Sequence, residues 1–151
     1  MKFAGNIIRK ALIKLSRFLF MCIFCQIIAG DVPAHKIYED ENILAFLDVK
    51  AVHPGHTLVV PKKHITDIEE ASESDLAVLM AGVKKIGGLL KEKLGYAAYN
   101  IHQNNGPLAG QTVLHLHFHI IPRLEGDGLK HWPARAYAAG EAEMILAKLK
   151  S

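Results

Sequence analysis

Three histidines alternate with apolar residues in the segment 115–119, whose sequence is His-Leu-His-Phe-His. The segment falls within a strand predicted over 112–121, and successive side chains of a strand point to opposite faces. His115, His117 and His119 are therefore expected on one face, with the apolar residues between them in the core. An imidazole can bind a metal ion, carry a proton or attack phosphorus. The pattern therefore predicts a functional row of imidazoles.

A loop rich in turn-forming residues precedes the histidines. The segment 104–110 reads Asn-Asn-Gly-Pro-Leu-Ala-Gly, and the backbone N–H groups of such a loop can hold phosphate oxygens. Asn104, Gln111 and Thr112 add neutral side-chain donors. A nucleophile beside oxyanion donors, without a Walker-type glycine–lysine motif, favours phosphoryl or nucleotidyl transfer.

The two cysteines of the chain, Cys22 and Cys25, form a Cys-x-x-Cys pair. Two cysteines are too few for the disulfide framework of a small secreted protein. Three interpretations stay open at this point: a zinc site, a redox dithiol and two buried thiols.

The predicted order of the elements that position these residues, strands followed by one long helix and then further strands, indicates an α+β domain with an antiparallel sheet. A short helix is expected over 23–29, and Ser72 with Asp75 forms a capping box that begins a long helix ending at Gly95. Prolines 61 and 122 are expected to end two of the strands. The strands are predicted at 37–39, 43–48, 56–60, 96–102 and 112–121.

Length and composition allow one domain. The 151 residues are 50% hydrophobic and 22% charged, which excludes a disordered chain. Residues 1–21 hold five basic side chains and no acid, which leaves 13 basic against 15 acidic residues in the rest of the chain. A nucleic-acid-binding domain normally carries a basic surface, so polymeric DNA or RNA is not the expected partner.

The two ends of the chain are set apart from this domain. Residues 1–21 place apolar side chains at helical spacing with basic ones on another face. Two interpretations of this segment stay open. It is either a helix that contacts an anionic membrane or an N-terminal extension that results from a start codon set ahead of Met21, and we favour the extension. The domain is expected over 22–124, followed by a tail over 125–151 with a short helix near 139–149.

The motifs together resemble the histidine triad (HIT) superfamily. The alternating histidines follow Gly-Gln-Thr-Val at 110–113, with Pro-Lys-Lys-His at 61–64 and Cys-Ile-Phe-Cys at 22–25. The resemblance implies a HIT-like fold, with a five-stranded antiparallel sheet, one long helix and a short N-terminal helix. It also implies a homodimeric, cytoplasmic nucleotide hydrolase or nucleotidyl transferase without an organic cofactor.

The resemblance assigns roles residue by residue. It makes His117 the nucleophile that forms a covalent nucleotidyl-histidine, and it places His119 and His56 at the phosphate. The polar residues around the α-phosphate and leaving group are Thr112, Asn104 and Gln111. Asp48 matches the carboxylate that accepts from the ribose hydroxyls. Phe24, Phe46 and Val32 match the apolar wall around a purine base.

Zinc-bearing members of the superfamily imply a further set of ligands. Cys22, Cys25, His64 and His115 match the residues that hold a structural zinc ion in those relatives, a complete set for tetrahedral coordination.

The substrate class and some outer residues stay open. Adenosine phosphoramidate and dinucleoside polyphosphate, such as diadenosine tetraphosphate, are both candidate substrates, and a nucleotide-binding regulatory or scaffold protein is the alternative function. Arg123 is expected either to meet a distal phosphate or to lie in solvent. His102 and His35 are expected to have structural roles, and the segment 131–133 resembles one that shapes the leaving-group side of the pocket in some relatives.

Overall fold

The computed structural model describes residues 22–130 and 132–151, so the predictions for 1–21 and for His131 lie outside the described residues. The α+β class and the five-stranded antiparallel sheet are confirmed. The sheet order is β1-β2-β3-β5-β4, and a single 3₁₀ turn lies at Pro107–Ala109. The strands are β1 (Lys36–Glu39), β2 (Ile43–Leu47), β3 (Thr57–Pro61), β4 (Ala98–His102) and β5 (Phe118–Arg123). The helices are α1 (Ile23–Ala29), α2 (Glu73–Leu94) and α3 (Glu141–Leu149). None of the described helices combines the length and the apolar character needed to cross a membrane.

Helix α2 begins and ends where its sequence predicts. The Asp75 backbone N–H donates to Ser72 Oγ at 3.1 Å, and the Asp75 carboxylate accepts the Ser72 N–H at 3.3 Å, which confirms the capping box. Gly95 ends the helix with a φ of 73°, and its N–H donates to the Lys91 carbonyl. This left-handed conformation strongly favours glycine, which has no Cβ to clash with the backbone.

The sheet buries both of its faces. Alternate residues of β2 and β3 point to opposite sides, so every residue of β3 is buried. One face packs on α2 through a cluster that includes Ile43, Val59, Val83, Ile86, Leu116, Phe118 and Ile120. The other face packs on α1 through Phe24, Ile27, Leu44, Phe46, Leu58 and Val60. Helix α1 therefore lies on the face opposite the long helix.

The strand predicted over 112–121 is wrong at both ends. Residues 112–117 are irregular, and the Leu116 N–H donates to the Ile65 carbonyl at 2.6 Å instead of joining the ladder. β5 begins at Phe118 and runs through Pro122 to Arg123. The predicted alternation of core residues is confirmed, because the apolar residues at 116, 118 and 120 all pack on the α2 face.

Two prolines predicted to end strands are themselves strand residues, Pro61 as the last residue of β3 and Pro122 as the residue before the last in β5. The pairing of β3 with β5 runs only from Val59↔Phe118 to Thr57↔Ile120. Pro61 and Pro122 both lie beyond that pairing, where each strand has one remaining neighbour, β2 or β4. A proline without an N–H is tolerated there because no partner strand needs that donor.

Candidate functional site

A cavity of about 860 Å³ opens on the α1 face of the sheet. Helix α1, the end of β2 and the irregular segment before β5 all contribute to its wall. Nearly all residues predicted for catalysis or nucleotide binding line it, and Gln111 is the exception. The lining residues from that prediction are Phe24, Val32, Phe46, Asp48, His56, Asn104, Thr112, His117 and His119.

The proton of His117 is held on one defined nitrogen. Its Nδ1 lies 2.6 Å from the main-chain oxygen of His115, and a carbonyl can only accept, so Nδ1 carries the hydrogen. The Nε2 atom is left with its lone pair. The side chain is buried, and burial lowers the pKa of His117, with hydrogen bonding to His115 opposing this. A neutral imidazole with a free Nε2 lone pair is the form that acts as a nucleophile.

A chain of hydrogen bonds fixes His56 and His119. The Val52 backbone N–H donates to His56 Nδ1 at 3.1 Å, so the proton of the neutral His56 ring is on Nε2. That Nε2 lies 2.9 Å from His119 Nδ1 and donates to it, which leaves His119 with its own proton on Nε2. Burial, followed by the neighbouring His117 and His56, lowers the pKa of His119 to about 4. His119 is therefore neutral at pH 7 and donates through Nε2.

Asp48 completes a group of three that resembles a metal site. Its Oδ2 lies 3.6 Å from both His56 Nε2 and His119 Nδ1, within the spacing of a two-histidine, one-carboxylate set. The Val52 N–H opposes metal binding here because it holds the His56 proton on the nitrogen that a metal would need. The free carboxylate oxygen instead offers an acceptor to a hydroxyl group, since Oδ1 already accepts the Lys50 N–H at 2.8 Å.

The apolar wall of the cavity also belongs to the core. Phe24 and Phe46 are 6% and 4% exposed, and their rings meet edge to face at 5.5 Å. Phe24 also contacts the ring of His117 at 5.2 Å. Val32 packs beside them, half-buried. The wall is therefore tightly packed and ends at His117.

The glycine-rich loop is shaped by Gln111 from behind. Its Oε1 accepts the Gly106 N–H at 2.8 Å, and its Nε2 donates to the Thr66 carbonyl at 2.7 Å. The side chain is 3% exposed and does not line the cavity. Asn104 and Thr112, at the two ends of the loop, do line the cavity. The predicted direct contact of Gln111 with a nucleotide stays a prediction, and the placement favours a role in holding the loop.

Four side chains form a second cluster beneath the cavity. The cluster consists of Cys22, Cys25, His64 and His115, and its ligand atoms lie within 4.8 Å of one another. His115 Nδ1 lies 3.5 Å from Cys22 Sγ, 3.6 Å from Cys25 Sγ and 3.3 Å from His64 Nδ1. Cys25 Sγ lies 3.3 Å from His64 Nδ1.

These spacings fit a tetrahedral zinc ion. Bonds of about 2.3 Å to sulfur and 2.05 Å to nitrogen place neighbouring ligand atoms roughly 3.4–3.8 Å apart. His115 Nε2 lies 2.9 Å from the Pro61 carbonyl and donates to it, so its Nδ1 presents a lone pair to the cluster. Burial and the neighbouring Cys22 raise the pKa of Cys25 to about 11. A bound cation would favour the thiolate instead.

Three residues differ from expectation. Arg123 is held by its neighbours, because Asp127 accepts from its Nε at 2.6 Å and from its Nη2 at 2.8 Å, and Asn100 accepts from its Nη1. Its contact with a distal phosphate stays a prediction. His102, expected to be structural, lines the cavity, as does His35. The signal that would have placed His102 there is the pairing of β4 with β5, which sets it opposite His119.

Known proteins match most of this chain. The family model "HIT domain" matches residues 29–126. An uncharacterized HIT-like protein of Methanocaldococcus jannaschii is 57% identical over 108 residues, covering 72% of this chain and 83% of that protein. An adenosine 5'-monophosphoramidase of Schizosaccharomyces pombe is 44% identical over 132 residues, covering 86% and 96%. A crystal structure of a zinc-bound histidine triad family protein from Mycobacterium smegmatis superposes with a TM-score of 0.69 at 39% identity, covering 85% of this chain and 95% of that one.

Proposed function

The chain belongs to the HIT domain family, and from this premise we propose that it cleaves purine nucleotide conjugates at the α-phosphate through a nucleotidyl-histidine intermediate. The observation that carries the proposal is the free Nε2 lone pair of buried, neutral His117, held in place by the His115 carbonyl. The relative named as an adenosine 5'-monophosphoramidase supports a hydrolase acting on nucleotides.

In the first step His117 Nε2 attacks the α-phosphorus. A P–N bond forms, the bond from phosphorus to the leaving group breaks, and the electron pair of that bond departs with the leaving group, which takes a proton from solvent where it leaves as an amine. His119 Nε2–H donates to a phosphate oxygen as charge develops there, and the neutral donors Asn104 and Thr112 add to this stabilisation. Each donor is already oriented, so little reorganisation is needed in the transition state.

In the second step water attacks the same phosphorus. The P–N bond breaks, its electron pair returns to Nε2 of His117, and the nucleoside monophosphate leaves with the oxygen of water, whose lost proton passes to solvent. The proton on Nδ1 of His117 stays there throughout, donated to the His115 carbonyl, so Nε2 is the nitrogen that attacks in the first step and departs in the second. The His56–His119 hydrogen bond keeps the donor nitrogen of His119 towards the phosphate in both steps.

Binding of the nucleoside uses the other end of the cavity. A purine base fits against the wall formed by Phe24, Phe46 and Val32, whose rings and methyl groups offer an apolar surface. Asp48 accepts from the ribose hydroxyls because an ionised carboxylate has only acceptor atoms. This arrangement places the α-phosphate beside His117 and His119.

Zinc is the metal we propose for the cluster of Cys22, Cys25, His64 and His115. A bound zinc ion would crosslink the start of α1 to the segment after β3, which carries His64, and to the segment before β5, which carries His115, and would supply structural support. Phe24 lies between the two cysteines in the chain and contacts both His115 and His117, with ring centroids at 5.8 Å and 5.2 Å. The metal ligands therefore also hold the apolar wall against the nucleophile.

The test is turnover on two substrates, adenosine phosphoramidate and diadenosine tetraphosphate, by the wild type and by His117→Ala. The proposal expects release of adenosine monophosphate by the wild type and a loss of at least a thousandfold in kcat/KM for the variant. His53→Gln is the matched control, because His53 does not line the cavity.

Tight nucleotide binding without turnover on either substrate would instead support the regulatory or scaffold alternative. The homodimer and the cytoplasmic location implied by the resemblance stay predictions, and sedimentation of the purified chain tests the first of them.

A further inference from the structure

A fourth imidazole faces the cavity beyond the residues that the proposed mechanism uses. His102 ends β4 and pairs directly with His119 on β5, so both side chains lie on the same face of the sheet. Its ring is half-buried and its centroid lies 6.0 Å from that of His119. Trp132 from the tail meets the His102 ring edge-on at 5.2 Å.

The ring contacts give His102 a defined place along the cavity. They run from Phe24 to His117 at 5.2 Å, from His117 to His119 at 5.0 Å, and from His119 to His102 at 6.0 Å. Phe24 belongs to the apolar wall and His117 to the α-phosphate site. The series of ring contacts from Phe24 to His102 therefore continues past the α-phosphate site. His102 lies on the side opposite the base, where a leaving group must extend.

The cations nearest the cavity are either paired or placed away from the leaving-group side. Arg123 is neutralised by Asp127, whose two carboxylate oxygens accept from its Nε and Nη2 atoms. Among the described residues that line the cavity, Lys50 is the one permanent cation, and it follows Asp48 at the ribose end. His102 is thus a further donor on the leaving-group side, beyond Asn104 and Thr112 at the α-phosphate, that can donate a charge-assisted hydrogen bond to an anion.

We propose that His102 is a specificity-determining residue that selects substrates with a phosphate-bearing leaving group. The inference rests on the proposed function and narrows its substrate class towards dinucleoside polyphosphates. In such a substrate the phosphate next to the scissile bond contacts His102, whereas the leaving group of adenosine phosphoramidate is ammonia, which is too small to reach past His119. Turnover of the phosphoramidate is therefore independent of His102.

The experiment measures kcat/KM on diadenosine tetraphosphate and on adenosine phosphoramidate for the wild type, His102→Leu and His102→Lys. Leucine fills a similar volume without a donor, and lysine supplies an N–H donor on a positively charged side chain. We expect His102→Leu to lower the ratio of the two kcat/KM values at least tenfold through the tetraphosphate alone. His102→Lys should keep the ratio within about threefold of the wild-type value.

A control on the same strand separates specificity from strand stability. Ile101→Ala alters the neighbouring residue, which pairs with Ile120 on the α2 face, and should leave the ratio unchanged. Equal losses on both substrates in His102→Leu, or an unchanged ratio, would overturn the role of His102 while leaving the proposed function intact. Absence of turnover by the wild type on both substrates would reject the proposed function and this inference with it.

Discussion

Burial of His119 should make the folded protein less stable at acidic pH, and His119→Asn should remove that part of the pH dependence. In the folded protein burial, followed by the neighbouring His117 and His56, lowers the pKa of His119 to about 4 from its ordinary value of 6.5. The unfolded chain has no such surroundings, so its histidine titrates near the ordinary value. The two states therefore bind different numbers of protons between these pH values.

The sign and size of the effect follow from proton linkage. As the pH falls below about 6.5, His119 becomes protonated in the unfolded chain, whereas in the folded protein it stays neutral down to about pH 4. The free energy of unfolding therefore falls as the pH falls from about 6.5 to about 4. With these two pKa values the loss between pH 7.5 and pH 5.0 is about 2 kcal/mol. Above pH 6.5 both forms are neutral and the contribution disappears.

Urea unfolding followed by far-ultraviolet circular dichroism at pH 7.5 and pH 5.0 measures this loss for the wild type and for His119→Asn. The variant should lose about 2 kcal/mol less than the wild type between the two pH values. Other titrating groups, including His56, His115 and His117, are present in both proteins, so their contributions largely cancel in the comparison. An equal loss of stability in both proteins would refute the argument that burial holds His119 neutral.

Three further predictions address the metal, the ribose and the packing of α2. Cys25→Ser should reduce bound zinc from roughly one ion per chain to a small fraction of that, as measured by metal analysis; undiminished zinc would exclude this cluster as its site. The wild type should bind adenosine monophosphate about tenfold more tightly than its 2'-deoxy analogue, and Asp48→Asn should remove that preference in calorimetry. Gly87→Ala should lower the free energy of unfolding by about 1–2 kcal/mol, because a Cβ there would lie 2.5 Å from the Tyr99 ring, whereas Gly88→Ala meets nothing within 4 Å and should raise it by about 0.5–1 kcal/mol. Equal effects at the two glycines would contradict this packing.

Local signals predicted the helices well. The capping box at Ser72 and the glycines that follow α1 and α2 act within a few residues of chain, and both helices have the expected limits. Helix α3 begins at Glu141, two residues later than predicted. The alternation of apolar residues through 116–120 likewise predicted which side chains reach the core. These features depend on short-range geometry, which a sequence records directly.

Features that depend on strand pairing were predicted less well. Where β3 stops pairing with β5 decides that Pro61 and Pro122 remain within strands, and no local pattern contains that information. The same holds for the irregular segment before Phe118, which bonds to Ile65 rather than to a strand.

Two site features needed the tertiary structure. Arg123 is held by Asp127, four residues further along the chain, and a basic residue after the triad gave no sign of this partner. His102 enters the cavity because β4 lies beside β5 at the edge of the sheet. The resemblance to a known family supplied the predicted nucleophile and the predicted metal ligands, but it did not indicate that His102 also lines the cavity.

The central claim is that Nε2 of His117 bonds covalently to the α-phosphorus. Rapid acid quenching during turnover, followed by proteolysis under conditions that preserve phosphoramidate bonds and by mass spectrometry, tests it most directly. The account predicts an adenosine monophosphate adduct on the peptide that contains His117, assigned to that ring by fragmentation and missing from His117→Ala. An adduct on another residue, or full turnover by His117→Ala, would contradict it.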